Sequence, residues 1–171
     1  MRKALYILGD LDDSDLIWLA KAGSVIHPKA GTEVIAAGNP INDLFIVTSG
    51  DLEVITPARK RIAELGVGDV VGEMSFVEKR SPSVSVQTKS DCRLLAIPRA
   101  ALFEEFARNT GFAARFYRAL AVFLSDRLRG MTEYGDDEVE NELDEAILDN
   151  LHVAGGRMLR LIDILEGRVT A

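Results

Sequence analysis

A glycine–glutamate pair, Gly72 and Glu73, closes the valine-rich stretch DVVG and opens EMSFV, and shortly afterwards KRSPSVSV brings two cations, a proline and alternating serines. If EMSFV forms a helical turn starting at the glycine, the amides of Glu73, Met74 and Ser75 have no carbonyl before them to bond. Such outward-facing amides suit an anion. The Glu73 carboxylate can accept hydrogen bonds from sugar hydroxyls. Ser83 and Ser85, alternating with Val84 on an expected strand, add short hydroxyl donors. Phosphate and ribose could both be served by this arrangement. The same pair is also an ordinary way to end a strand and begin a turn, so the residues alone leave both readings open.

Other chemistry finds little support in the sequence. His27 and His152 have no second His or Cys at metal-ligand spacing, and Trp18 reads as a core residue on a helix face. No nucleophile–base pair stands out, so the chain is expected not to be an enzyme. Gly66 and Gly68 with Gly72 do not make the dinucleotide fingerprint, because the third glycine comes one place late and no βαβ unit surrounds it. The single cysteine, Cys92, rules out an internal disulfide and sits in the apolar run CRLLAI as a small core residue. The formal net charge of −7 argues against wide contact with a nucleic-acid backbone. After the basic start the apolar run stops at Gly9-Asp10, short of the h-region expected of a signal leader, and no apolar run approaches the roughly 18 residues of a membrane span. A cytoplasmic protein that binds neither membrane nor nucleic acid is expected.

These residues need elements to position them. Ser14 is suited to cap a helix through DLIWLAKAG, with Leu16, Leu19 and Ala20 on one face and Gly23 as the stop. From Ser24 to Ile97 the pattern changes to short apolar runs bounded by turn residues, such as NDLFIVTSG, DLEVITP and PSVSVQT, which predicts six or more strands. No connection there is long enough for a crossover helix, so the strands must pair antiparallel. Pro98 closes the last strand and opens the helix RAALFEEFARN, and Thr110-Gly111 precedes another. On that next, long helix, Phe112, Phe116, Ala119, Leu120, Phe123, Leu124 and Leu128 form a stripe wider than one neighbour covers, which suggests packing on its own barrel and on a second subunit; the alternative is a wholly intramolecular core. Arg115, Arg118, Arg127 and Arg129 read as the solvated or subunit-rim side of the same helix.

Residues 136–166 read as a further helical packing element, rich in acids at its start. Leu143, Ile147, Leu151, Ala154, Met158, Leu161 and Leu165 make a heptad-like seam. Gly155-Gly156 weakens its middle by about 1 kcal/mol per glycine relative to alanine, so a kink or break is expected there.

Read in order, AAGNPINDLFIVTSGDLEV, LGVGDVVGEMSF, the serine–valine strand and the long terminal helix resemble the cyclic-nucleotide-binding domain superfamily, which includes catabolite activator proteins, kinase regulatory subunits and gated channels. The resemblance covers about residues 10–132 and includes Gly38, Gly50, Gly66, Gly68 and Gly72. It implies an antiparallel β-roll or jelly-roll barrel with flanking helices and a long helix after the barrel; with the additional C-terminal helix read from the seam above, the fold class is α+β. The domain reading is 1–132 for the nucleotide-type domain with its long helix and 133–171 for an acidic helical extension. The implied ligand is a cyclic nucleotide, with the amides at Gly72, Met74 and Ser75 facing its phosphate and Glu73 holding the ribose hydroxyl.

The family then places an arginine directly before a small residue. Here the small residue is Ser83, followed by Val84, and the arginine position falls on Pro82. Losing a hydrogen bond to a charged group, worth about 1.5–3 kcal/mol, weakens cyclic AMP binding by at least ten- to a hundred-fold. Arg80 is the candidate substitute, or else a solvated loop residue. Thr132, near the end of the long helix, matches the place from which such domains offer a hydroxyl to the base. The resulting expectation is a stand-alone regulatory module that binds a nucleotide or another anionic small molecule, is homodimeric through Phe112 to Met131, and docks its C-terminal helix on the dimer or on a client protein. The alternatives are a true cyclic nucleotide receptor using Arg80 and a structural dimerisation or adaptor module with a dead pocket. A transcription regulator fits poorly, because the forty or so residues after the long helix contain no basic recognition helix.

Overall fold

A computed structural model describes residues 6–78, 80–132 and 145–168. In chain order the elements are α1 (Tyr6–Asp10), α2 (Asp13–Ala22), β1 (Ser24–Ile26), β2 (Glu33–Ile35), β3 (Asp43–Ser49), β4 (Leu52–Ile55), β5 (Arg61–Leu65), β6 (Val70–Val71), α3 (Glu73–Glu78), β7 (Ser85–Thr88), β8 (Arg93–Pro98), α4 (Arg99–Arg108), α5 (Thr110–Thr132) and α6 (Glu145–Leu165). Two compact units result, one from Trp18–Arg108 and one from Met1–Ile17 with Asn109–Ala171. Among the described residues no helix is long and apolar enough to cross a membrane.

The first unit is the expected antiparallel β-roll. Its strands form two four-stranded sheets, β1-β8-β3-β6 and β2-β7-β4-β5, with every pair antiparallel. The burial pattern explains the order. Leu44 to Val47 in β3 and Leu94 to Ile97 in β8 are buried on both faces, as continuous apolar runs require of central strands. In β4 only Leu52 and Val54 are buried, alternating with residues that meet solvent. Phe45, Val47, Leu52, Val54, Val86 and Leu94 belong to the core cluster, and Cys92 joins it as expected.

Several local expectations are corrected. The α2 cap is Asp12, not Ser14: the Asp15 amide donates to Asp12 Oδ1 at 2.9 Å while the Asp12 amide donates to Asp15 Oδ2 at 3.0 Å, a reciprocal capping box. Ser14 instead donates its hydroxyl to Asp12 Oδ1 at 2.6 Å. Trp18 is half-buried and is not part of the closed core. Thr110-Gly111 does not precede the long helix but forms its first turn, because the Asn109 side chain accepts the Phe112 amide at 3.0 Å and caps it. The expected break at Gly155-Gly156 is absent and α6 runs through both glycines, held on either side by buried Ala154, Met158 and Leu161.

The second unit is helical. α1 packs on both α5 and α6, and Phe112, Phe116, Ala119, Leu120 and Phe123 are buried while Leu128 is exposed. Arg157 donates to the carbonyls of Leu8 and Gly9, which α1 leaves unbonded at its C-terminus. Arg115 is no rim residue. It forks onto Asp15, Nε to Oδ2 at 2.7 Å and Nη2 to Oδ1 at 2.8 Å, and also reaches Asp12. Asp15 is 1% exposed, so this is a paired buried charge whose guanidinium is held above its ordinary range, chiefly by the bonds to Asp15. The Asp12 carboxyl is held below its ordinary range, chiefly by the Ser14 hydroxyl, with the Asp15 amide and Arg115 adding to it against an opposing burial penalty larger than either of these two. Of the seam expected in the last helix, Leu143 lies outside the described residues, as do the side chains of Ile147 and Leu151.

Candidate functional site

The turn at Gly72 is built by two constraints. β6 pairs with β3 through Phe45 opposite Val71 and Ile46 opposite Val70, which brings the chain beside Asp43. At Gly72 the backbone takes φ +93°, and a Cβ there would sit 3.4 Å from the Asp43 carbonyl and within 4 Å of the Ile35 and Ile41 methyls. Only glycine combines that conformation with so close an approach at little cost. The Phe76 amide then donates to the Gly72 carbonyl at 3.1 Å, closing the first turn of α3. EMSFV is therefore helical as expected, and the amides of Glu73, Met74 and Ser75 precede the first intrahelical donor.

The side chains of α3 divide cleanly. Glu73, Ser75 and Phe76 are buried, whereas Met74 is 55% exposed and Val77 47% exposed. Met74 therefore turns its thioether to solvent. Phe76 anchors the helix, stacking on Phe103 with ring centres 4.9 Å apart and meeting Phe106 edge-on at 6.3 Å, both on α4. Arg99, the first residue of α4, donates Nη2 to the Ser75 carbonyl and Nη1 to the Ile41 carbonyl, each at 2.9 Å, and lies over the Phe76 ring.

The returning limb departs from the expected strand. β7 begins at Ser85, so Ser83 and Val84 lie in a bend before it, and their place on the strand is corrected. Two causes combine: Pro82 has no amide hydrogen to join a ladder, and its carbonyl accepts the amide of sequence-distant Gly38 at 2.8 Å. The Ala37 amide donates to Ser85 Oγ at 3.0 Å, so that hydroxyl is already an acceptor within the protein. Ser83 is exposed, Val84 packs half-buried against the barrel core, and Pro82 is half-buried. Arg80 is exposed and makes no hydrogen bond or ion pair with another described residue. Lys79 lies outside the described residues.

Gly72, Glu73, Met74, Ser75, Arg80, Ser83 and Val84 all belong to the β-roll unit. Thr132 belongs to the other unit, where it ends α5, and its side chain is outside the described residues. Among the described residues no cluster of His, Cys, Asp or Glu could hold a metal ion. The sequence reading missed Ala37, whose amide ties the β2–β3 turn to the returning limb, and Arg99. The one available signal for Arg99 was its place directly after the strand-ending Pro98.

Comparison with known proteins gives consistent results. A family model described as cyclic nucleotide-binding domain matches residues 25–109. Glutaminase 2 of Bradyrhizobium diazoefficiens is 35% identical over 123 residues, a match that covers 71% of this chain but 19% of that protein. The chain thus spans about a fifth of the length of this relative. A cyclic nucleotide-binding domain from Methylobacillus flagellatus superposes with a TM-score of 0.69 at 19% identity, covering 80% of this chain and 85% of that one. The regulatory domain of Toxoplasma gondii PKA, solved with cAMP, gives a TM-score of 0.54 at 25% identity, covering 58% of this chain and 39% of that one.

Proposed function

The chain belongs to the cyclic nucleotide-binding domain family through residues 25–109, and from that premise we propose that it is a regulatory sensor module whose cassette at Gly72–Ser75 takes a nucleotide or another anionic small molecule. The observation that carries this reading is the Gly72 turn, where a positive-φ glycine leads into α3 with a buried Glu73 at its first position. That arrangement suits a phosphate on the amides and a sugar hydroxyl on the carboxylate. The cAMP held by the Toxoplasma regulatory domain supports the ligand class. Pro82 makes ordinary cyclic AMP affinity weak, because the cassette has no charged side chain at the place where the family carries one. The module acts in the cytoplasm and carries no catalytic step of its own.

Ligand at the cassette moves α3, and the change passes through Pro98 and α4 along the chain into α5. Ala114, Tyr117, Ala121, Leu124 and Leu128 follow one another on α5 in alternating steps of three and four, and all are exposed or half-exposed. A second copy of the chain fits that seam, which is the dimer we propose. Exposed Val153 and Leu159 on α6 suit a client protein. Calorimetric titration with cyclic nucleotides, other nucleotides and anionic metabolites tests the sensor reading. Saturable binding supports it, and a panel without heat or thermal protection refutes it.

One observation favours a second reading. Because Arg80 has no partner among the described residues, its guanidinium is available to a ligand phosphate. In that case the domain is a true cyclic nucleotide receptor, and Arg80→Ala lowers cyclic AMP affinity at least tenfold. Under the first reading the same substitution changes little.

A further inference from the structure

Two segments distant in sequence from Arg99 and from each other meet on it. Its two terminal nitrogens donate to the Ser75 carbonyl in α3 and to the Ile41 carbonyl before β3, each at 2.9 Å. Its backbone amide donates to the Asn42 carbonyl, also at 2.9 Å. The guanidinium centre lies 5.5 Å from the middle of the Phe76 ring, within the range of a cation–π contact. All the acceptors are backbone carbonyls, so the side chain measures where two pieces of main chain lie rather than neutralising a charge. A planar fork with several donors can span two carbonyls in fixed directions, whereas an ammonium on a flexible stem cannot hold both in the same way.

The two pieces of main chain matter to the site. Ser75 is in the first turn of the helix that begins the cassette, and Ile41-Asn42 leads directly into Asp43, whose carbonyl backs Gly72 at the distance a Cβ would contest. Arg99 therefore grips both sides of the cassette turn from behind, while its own Cα starts α4. We infer that Arg99 is the positioning residue that couples the cassette to α4, so that α3 cannot shift toward a ligand without turning the first residue of α4 or breaking a bond to it. The inference rests on the proposal that the cassette binds a ligand. The Phe76 cluster alone would hold the two helices together, but aromatic contacts slide. Directed bonds to two carbonyls do not.

The test uses the full chain, Arg99→Met and Arg99→Lys, each also combined with Pro82→Arg so that the cassette carries a cation. Hydrogen exchange is followed by mass spectrometry with and without saturating cyclic AMP. Without ligand, Arg99→Met should speed exchange at least tenfold in residues 41–43 and 73–78 while β3 and β8 keep their protection. With ligand, α3 should still gain protection in Arg99→Met, but the accompanying change in α4 should be lost, and Arg99→Lys should restore it only in part. A ligand response in α4 of undiminished size in Arg99→Met overturns the inference and leaves the sensor reading intact, as does uniformly faster exchange throughout the β-roll. Absence of any cyclic AMP response even with Pro82→Arg overturns both.

Discussion

Replacing Pro82 by arginine puts the account of the cassette under direct strain. Pro82 is half-buried between exposed Ser81 and Ser83, and the bond its residue makes is through its carbonyl, which accepts the Gly38 amide. Any residue keeps that carbonyl, so the limb should hold its path. By the family's placement, the substitution restores the guanidinium that pairs with a ligand phosphate. A hydrogen bond to a charged group contributes about 1.5–3 kcal/mol, which is roughly a ten- to hundred-fold fall in Kd for a cyclic nucleotide. Loss of the ring releases conformational freedom in the unfolded chain and costs about 0.4–1 kcal/mol of stability. Pro82→Ala isolates that second effect, with lower stability and no gain in affinity. Isothermal titration of the parent, Pro82→Ala and Pro82→Arg with cyclic AMP, at one salt concentration, separates the two. If Pro82→Arg binds no more tightly than Pro82→Ala while the fold is retained, the cassette does not present its amides to an anion and the reasoning fails.

Four further outcomes follow from the geometry. Gly50→Ala should destabilise more than Gly38→Ala in thermal unfolding: both positions have positive φ, but a Cβ at Gly50 would lie 2.6 Å from Cys92 Sγ and 2.7 Å from the Asp91 carbonyl, whereas at Gly38 it meets nothing within 4 Å. Gly156→Ala should stabilise by about 0.5–1 kcal/mol, since the site is helical and the added methyl meets open space; a lower Tm would show that α6 needs the glycine. Because the Asp12 carboxyl is held below its ordinary range, its contribution is fully present above about pH 4 and is lost as the pH falls through the lowered value. The parent's stability advantage over Asp12→Asn should therefore shrink between pH 6 and pH 3 in urea titrations, modestly because Asp12 is partly solvated. Leu124→Glu with Leu128→Glu should leave a folded monomer by light scattering, and an unchanged dimer would remove the α5 seam from the interface.

The parts of the fold legible in the sequence were those governed by neighbours in the chain. Continuous apolar runs identified β3 and β8, turn glycines bounded them, and Gly72 followed by EMSFV announced a helical turn. Elements decided by distant partners were harder to read. In DLDDSD several residues can cap a helix, and the choice falls on Asp12 because Asp15 bonds back to it while holding Arg115, 100 residues away. Ser83 alternates with valine as a strand residue should, yet the bend that removes it from β7 depends on the amide of Gly38. Arg99 looks like any first-turn arginine in PRAAL. Its acceptors lie 58 and 24 residues upstream, a relation no local pattern expresses.

The pairing of Arg115 with Asp15 also bears on how the molecule is made. Residues 18–108 are one uninterrupted stretch, so the β-roll has all its strands as soon as α4 has left the ribosome. Helix α1 must wait through that whole synthesis, with Leu8 uncovered until α5 and α6 arrive. The helical unit is thus the last to close, and a chain stalled before α5 leaves the apolar face of α1 without the helices that bury it.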